Sequence, residues 1–208
     1  VVKHQMKKVI AYIDGFNLYF GLKRKNWKRY YWLNVQKLSK NLLTDAQSLM
    51  YTKYFTARIS YPPEKVKRQN TFLEALATLK QLKIYYGKYQ MNTIECKRCG
   101  NLWAVPNEKM TDVNISIELL SDAFQNNFDI ALLISGDSDL SGPLKKIHEL
   151  FPDKRTIVAF PPATFSFELS KAAYAYFTIG RKKFADSVFP DEIVKDGGYF
   201  LKKPVRWS

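Results

Sequence analysis

FDIALLISGDSDLSGPLKKI, residues 128 to 147, reads as a strand, a tight polar turn and the opening of a helix. Residues 128 to 134 are mostly apolar and β-favouring and stop at Ser135-Gly136-Asp137, the pattern of a short strand buried on two faces. After Asp139, Leu140, Leu144, Ile147 and Leu150 recur at helical spacing. A strand that hands over at once to a helix is the repeating unit of a parallel α/β sheet.

The same unit appears elsewhere. KVIAYI, residues 8 to 13, ends at Asp14-Gly15 as a second two-faced strand, and residues 50 to 59, 83 to 89 and 155 to 160 are further strand candidates. Pro62-Pro63 opens a helix across residues 63 to 81, carried by Val66, Leu73, Leu76 and Leu79. Val113, Ile117, Leu120 and Phe124 recur at four, three and four residues and predict one apolar stripe along residues 111 to 125. The alternation predicts an α/β fold: an open, mostly parallel sheet with helices on both faces, a Rossmann-like three-layer arrangement. Two stretches fall outside it. Residues 91 to 107, MNTIECKRCGNLWAVPN, read as a hairpin or knuckle inserted before a helix, and residues 180 to 208 as a basic tail on a single domain of residues 1 to 179.

With 208 residues the chain is long enough for one such domain and short for two. A content of 46% hydrophobic and 25% charged residues is globular, and no apolar run approaches the roughly 18 residues needed to cross a bilayer. VVKHQMKK leads into a strand without a signal-peptide core, so the expected location is cytoplasmic, with no membrane partner. Thirty-three Lys and Arg against 19 Asp and Glu leave a net charge of +14, which favours a polyanionic partner, nucleic acid first among them. Aromatics interleave with the basic residues in LKRKNWKRYYW, Leu22 to Trp32, a mixture suited to phosphate contact and base stacking, or equally to a solvated basic face over core rings.

The acids are placed where such sheets bind ligands. Asp14 follows one strand directly, Asp137 and Asp139 follow another, and Asp112 opens the helix after the residue 83 to 89 strand. Strand C-termini and the N-termini of the following helices share one edge of a parallel sheet, so the four carboxylates are expected to converge there. Singly, each has an ordinary explanation as a turn or helix cap. Together they would repel, and a divalent cation resolves the repulsion. An all-carboxylate set points to Mg2+ or Mn2+, which can polarise a phosphoryl oxygen, acidify a bound water and steady a leaving oxygen.

Three segments carry a family resemblance: YIDGFNLYFGL (Tyr12 to Leu22), EKMTDVNISIELL (Glu108 to Leu120) and LLISGDSDLSGPLKKI (Leu132 to Ile147). In this order and spacing they resemble the motifs of NYN-domain (PIN-like) nucleases, in particular the bacterial LabA-like branch, over roughly residues 8 to 178. The resemblance implies a PIN-like fold and a divalent-metal nuclease, with Asp14, Asp112, Asp137 and Asp139 as catalytic metal ligands and Asn17 beside them. Glu118 stands where many relatives carry a second acid, although six residues from Asp112 is about 120° away around a helix. Ser135 and Ser138 share the acidic loop and are candidates to hold phosphate. Lys109, Lys23 and Arg24 are the candidates for phosphate contact, within a basic cluster that continues through Lys25, Lys28 and Arg29.

The expected activity is hydrolysis of RNA, or of single-stranded DNA. The rival from another class is a nucleic-acid-binding module with a vestigial acidic site; a haloacid-dehalogenase-type phosphatase is a poorer match, because its Asp-x-Asp belongs on the first core strand. Cys96-Lys-Arg-Cys99-Gly100 has the form of half a zinc knuckle. Structural zinc needs four ligands, and the missing two would have to come from His4, His148 or a second subunit of a homodimer; a reduced, inert thiol pair is the plainer reading. His148 itself reads as a surface or packing residue.

Overall fold

The computed structural model describes residues 6–195 and 197–207. Six parallel strands form the central sheet: β1 (Lys7–Asp14), β2 (Gln47–Thr56), β3 (Leu82–Tyr86), β6 (Ile130–Ile134), β7 (Arg155–Phe160) and β8 (Ala175–Thr178). Their order is β3-β2-β1-β6-β7-β8. The chain builds outward from β1 to one edge, returns, and builds outward again from β6, so the winding reverses between β1 and β6. An antiparallel hairpin of β4 (Lys88–Glu95) and β5 (Leu102–Lys109) is inserted after β3, where the sequence predicts a hairpin or knuckle.

Side-chain alternation along β1 sorts the core into two layers. Val9, Ala11 and Ile13 face one cluster with Leu18 and Leu22 of α1 (Gly15–Arg24), Leu38 of α2 (Val35–Asn41) and Leu73 and Leu76 of α3 (Pro63–Ala77). Ile10 and Tyr12 face the other, with Ile115 and Leu119 of α4 (Thr111–Phe124), Leu144 and Ile147 of α5 (Ser141–Leu150) and Leu169 of α6 (Phe167–Ala172). No helix among the described residues is long and apolar enough to cross a membrane.

The stripe expected on α4 is on the wrong side. Val113 and Ile117 are each 54% exposed and Phe124 is 81% exposed, while Ile115, Leu119 and Ala123 are buried. Beneath α4 lies a polar network instead: Lys53 of β2 reaches Glu118 at 2.6 Å and Asp122 at 2.5 Å, Tyr12 donates to Asp122 at 2.5 Å, and Tyr85 donates to Glu118 at 2.8 Å. Burial, then the Asp122 charge and hydrogen bond, push the Tyr12 phenol well above its ordinary range, keeping it a donor.

The C-terminal stretch read as a basic tail is folded onto the domain. Phe184 of α7 (Arg181–Ala185), Phe189 and Trp207 are buried in the first core layer, and β9 (Glu192–Val194) pairs with β10 (Phe200–Lys202). The indole of Trp32 donates to the Pro190 carbonyl at 2.8 Å, which ties this stretch to the segment between α1 and α2.

Candidate functional site

The reversal between β1 and β6 opens a crevice at the C-terminal edge of the sheet, the place where open α/β sheets take ligands. Ile13 pairs with Ile134 across it, so Asp14 and Ser135 leave their strands level with each other. Asp14 is 4% exposed and caps α1: its Oδ1 accepts from the Asn17 backbone N–H at 2.9 Å, and its Oδ2 accepts from the Ser135 hydroxyl at 3.0 Å. Capping and site-building are therefore the same act here. The turn tolerates only glycine after Asp14, because a Cβ at Gly15 would stand 2.5 Å from the Tyr54 hydroxyl and 2.8 Å from the Phe55 carbonyl.

The loop after β6 is held to α1. Gly136 N–H donates to the Asn17 side-chain oxygen at 3.0 Å, Asp137 N–H to Ser135 Oγ at 3.1 Å, and Asp139 N–H to Asp137 Oδ1 at 3.0 Å. A side chain at Gly136 would be tight, since its Cβ would meet the Thr164 side chain at 3.0 Å. Asp112 arrives by another route. Met110, with φ 75°, turns the chain from β5 into α4 and sets Asp112 in the first turn of that helix.

Carboxylate oxygens of Asp14, Asp112 and Asp137 lie within 4.8 Å of one another. Asp139 is exposed beside this group of three, near enough that its charge acts on Asp112. Burial raises Asp14 to about 7 against the opposing bonds from Asn17 and Ser135, with the Asp112 and Asp137 charges adding to the rise. Asp112 is pushed up to about 6 by burial and by Asp137 and Asp139. Without a cation, the cluster is therefore partly protonated at neutral pH.

Glu108 is the acid that the motifs contain and sequence reasoning passed over. On β5, just before the turn, it accepts from the Thr111 hydroxyl, and burial with the charges of Asp14, Asp112 and Asp137 lifts it to about 7. The signal available was its place four residues before Asp112, on the hairpin strand that leads into α4. Burial and the charges of Asp14 and Glu108 also raise the Tyr54 phenol. Glu118 does not join the cluster; it is engaged by Lys53 and Tyr85 under α4.

The surroundings are basic and aromatic. Lys109 is exposed at the end of β5, opposite Lys88. Arg24 donates to the Ala163 carbonyl at 3.3 Å, and the Lys23 ammonium lies 5.5 Å from the Phe20 ring. Ser138 opens a single 3-10 turn, half-buried behind Asp137. Phe16, two residues after Asp14, stacks on Tyr89 of the hairpin with ring centroids 6.4 Å apart. The thiols of Cys96 and Cys99 are free at the far end of the hairpin, and His148 shares a 2.9 Å hydrogen bond with Thr156 on α5's inner side. His4 lies outside the described residues.

Known proteins agree with this architecture. Over 171 residues the chain is 28% identical to 6-hydroxy-3-succinoylpyridine 3-monooxygenase HspA of Pseudomonas putida, covering 65% of this chain and 54% of that protein. The chain thus spans about half the length of that curated relative. A crystal structure of a protein of unknown function from Vibrio parahaemolyticus shares the fold, with a TM-score of 0.54 at 20% identity over 91% of this chain and 100% of that one. The NYN domain model matches residues 8–180, a span that takes in the central sheet but for the first residue of β1, and every acid of the crevice. With its strands, its winding and its acids inside that one match, the chain belongs to the NYN domain family of PIN-like nucleases.

Proposed function

We propose that this chain hydrolyses phosphodiester bonds in RNA, with single-stranded DNA as the alternative substrate, in a reaction that depends on one or two Mg2+ or Mn2+ ions. The observation that carries the reading is the meeting of Asp14, Asp112 and Asp137 within 4.8 Å, from three segments far apart in sequence. The donor set fits a hard dication: it offers carboxylate oxygens, with no imidazole or thiolate. The raised Asp14 and Asp112 fit it too, because a cation removes the repulsion that their neighbours impose.

When bound, such an ion supplies Lewis acidity toward the phosphate and acidifies a water. The protein's part is placement. Asp14, Asp112 and Asp137 hold the ion, with Asp139 at the rim. Asn17 fixes the two loops against each other, and Ser135 orients the Asp14 carboxylate. Lys109, Lys23, Arg24 and the hydroxyl of Ser138 are proposed for the phosphate backbone, in keeping with the chain's net charge of +14.

Purified protein is incubated with labelled RNA and Mn2+, with chelator, and as Asp137→Asn. Cleavage lost in the last two arms is expected. Cleavage that survives either the chelator or the substitution removes the mechanism, and tight RNA binding without turnover in any arm makes the chain a binding module. The 28% identity to a monooxygenase carries a second reading, oxygenation of a hydroxypyridine. Oxygen uptake with that pyridine and a reductant, alongside inert RNA, would favour it.

A further inference from the structure

The hairpin of β4 and β5 ends in a turn that the nuclease reading leaves unused. Cys96 N–H donates to the Asn101 carbonyl at 2.9 Å, and Gly100 N–H donates to the Cys96 carbonyl at 2.8 Å. Gly100, immediately after the second cysteine, has φ +68°, where a side chain is strained. Two free cysteines thus bracket one tight turn at the hairpin tip, the Cys-x-x-Cys-Gly form of half a zinc knuckle.

A tetrahedral structural zinc takes four ligands. The chain contains two cysteines and two histidines in all. Among the described residues, Cys96 and Cys99 have no third His, Asp, Glu or Cys within ligand reach, and His148 is on α5 against Thr156. No described residue of the same chain supplies the other two ligands, and a second copy of this chain offers the same cysteine pair through a two-fold axis. The hairpin's surface agrees. β4 is exposed over nearly its whole length, and near the tip Ile94 (43% exposed) pairs across the ladder with Trp103 (45%), beside Leu102 (61%). An isolated two-stranded hairpin carrying that much open apolar surface is marginal in water and gains from cover.

We propose that two copies of this chain share one Zn2+ at their hairpin tips, each copy contributing Cys96 and Cys99, so that the apolar flanks of the two hairpins cover each other. This site is separate from the acidic crevice and takes a soft-ligand metal where the crevice takes a hard one.

The test uses the full chain loaded with Zn2+ alone, its mass read by light scattering after gel filtration and its zinc by metal analysis. Because Zn2+ can also occupy the carboxylates, zinc is counted as wild type minus Cys96→Ser. About one zinc per two chains is expected from a four-thiolate site, together with a mass twice the 24.2 kDa of one chain. Chelator or Cys99→Ser returns the mass to that of one chain, with the circular dichroism unchanged because the substitution is at an exposed tip. Co2+ in place of Zn2+ gives a thiolate charge-transfer band that carboxylates cannot produce. A monomer with one zinc bound through its cysteines, a dimer indifferent to both substitutions, or no thiolate-bound metal at all overturns the proposal. None of these outcomes touches RNA cleavage, so the two readings fail separately.

Discussion

Ser135 Oγ donates to Asp14 Oδ2 at 3.0 Å across the reversal of the sheet, joining residues 121 apart in sequence. The same hydroxyl oxygen accepts from Asp137 N–H at 3.1 Å, so one buried serine orients two of the three clustered acids. Ser135→Ala leaves both without that partner. A loss of about 1–2 kcal/mol in urea unfolding is expected, with Mn2+ affinity down roughly 10- to 100-fold by isothermal titration. Wild-type affinity in the variant would show that the hydroxyl is idle.

The raised carboxylates fix the sign of the pH response. A carboxyl whose folded pKa is raised gives stability that is present below its unfolded value, 3.8 for Asp14, and lost as pH rises through about 7. Chelated protein should therefore lose stability from pH 4 to pH 8, by up to about 4 kcal/mol for Asp14 alone. Asp14→Asn should flatten that slope, and Mn2+ should reverse it above pH 7. Thermal melts at several pH values with chelator or Mn2+ check all three, and a wild-type slope identical to that of Asp14→Asn would sink the account. Protons compete with the cation, so Mn2+ affinity should fall steeply between about pH 7 and pH 6, where Asp14 and Asp112 take them up.

Glu108 stands in the field of Asp14, Asp112 and Asp137 and is raised to about 7 by burial and by them. Glu108→Gln keeps the shape and removes the charge. Mn2+ affinity at pH 8 should fall about tenfold or more, and RNA cleavage at limiting Mn2+ should fall with it, recovering at high Mn2+. An unchanged metal titration would reduce Glu108 to a cap for the Thr111 turn.

Lys53 is buried at 8% exposure between Glu118 and Asp122. Lys53→Met strands two carboxylates under α4, and a loss of roughly 3–5 kcal/mol in chemical denaturation is expected. Glu118→Gln should leave Mn2+ affinity within about twofold, since the group is not in the crevice. A large drop in metal binding there would return Glu118 to the ligand set.

Phe16, two residues after Asp14, stacks on Tyr89 of the hairpin. Tyr89→Ala should weaken binding of single-stranded RNA by about 1–3 kcal/mol, the worth of one base stacked on a ring. Binding measured with Ca2+ separates this from cleavage; a duplex of the same sequence should be affected less.

The strands and the acidic edge were legible because two-faced strands admit few alternatives and Asp14, Asp137 and Asp139 follow such strands within a few residues. α4 was not. Its apolar residues fit two frames, Val113-Ile117-Phe124 and Ile115-Leu119-Ala123, and only the second faces the sheet. The choice turned on Lys53, a buried cation on β2 whose partners Glu118 and Asp122 drew an acidic face inward, and no helical pattern announces such a partner in a distant strand. The C-terminal stretch was open in the sequence between extending the basic surface and clamping back on the domain, because its basic runs outweigh three isolated aromatics, Phe184, Phe189 and Trp207, each of which is buried.

Because β1 and β6 are neighbours in the sheet but are separated in the chain by everything from α1 through α4, the acidic crevice is absent from any partial chain that stops short of β6 and the loop after it. A polypeptide still emerging from the ribosome, with β6 not yet outside the exit tunnel, carries Asp14 and Asp112 but lacks Asp137 and the serine that orients Asp14. The three acids therefore come together only once β6 has docked beside β1, so the crevice forms with the long-range pairing of the sheet and not before it.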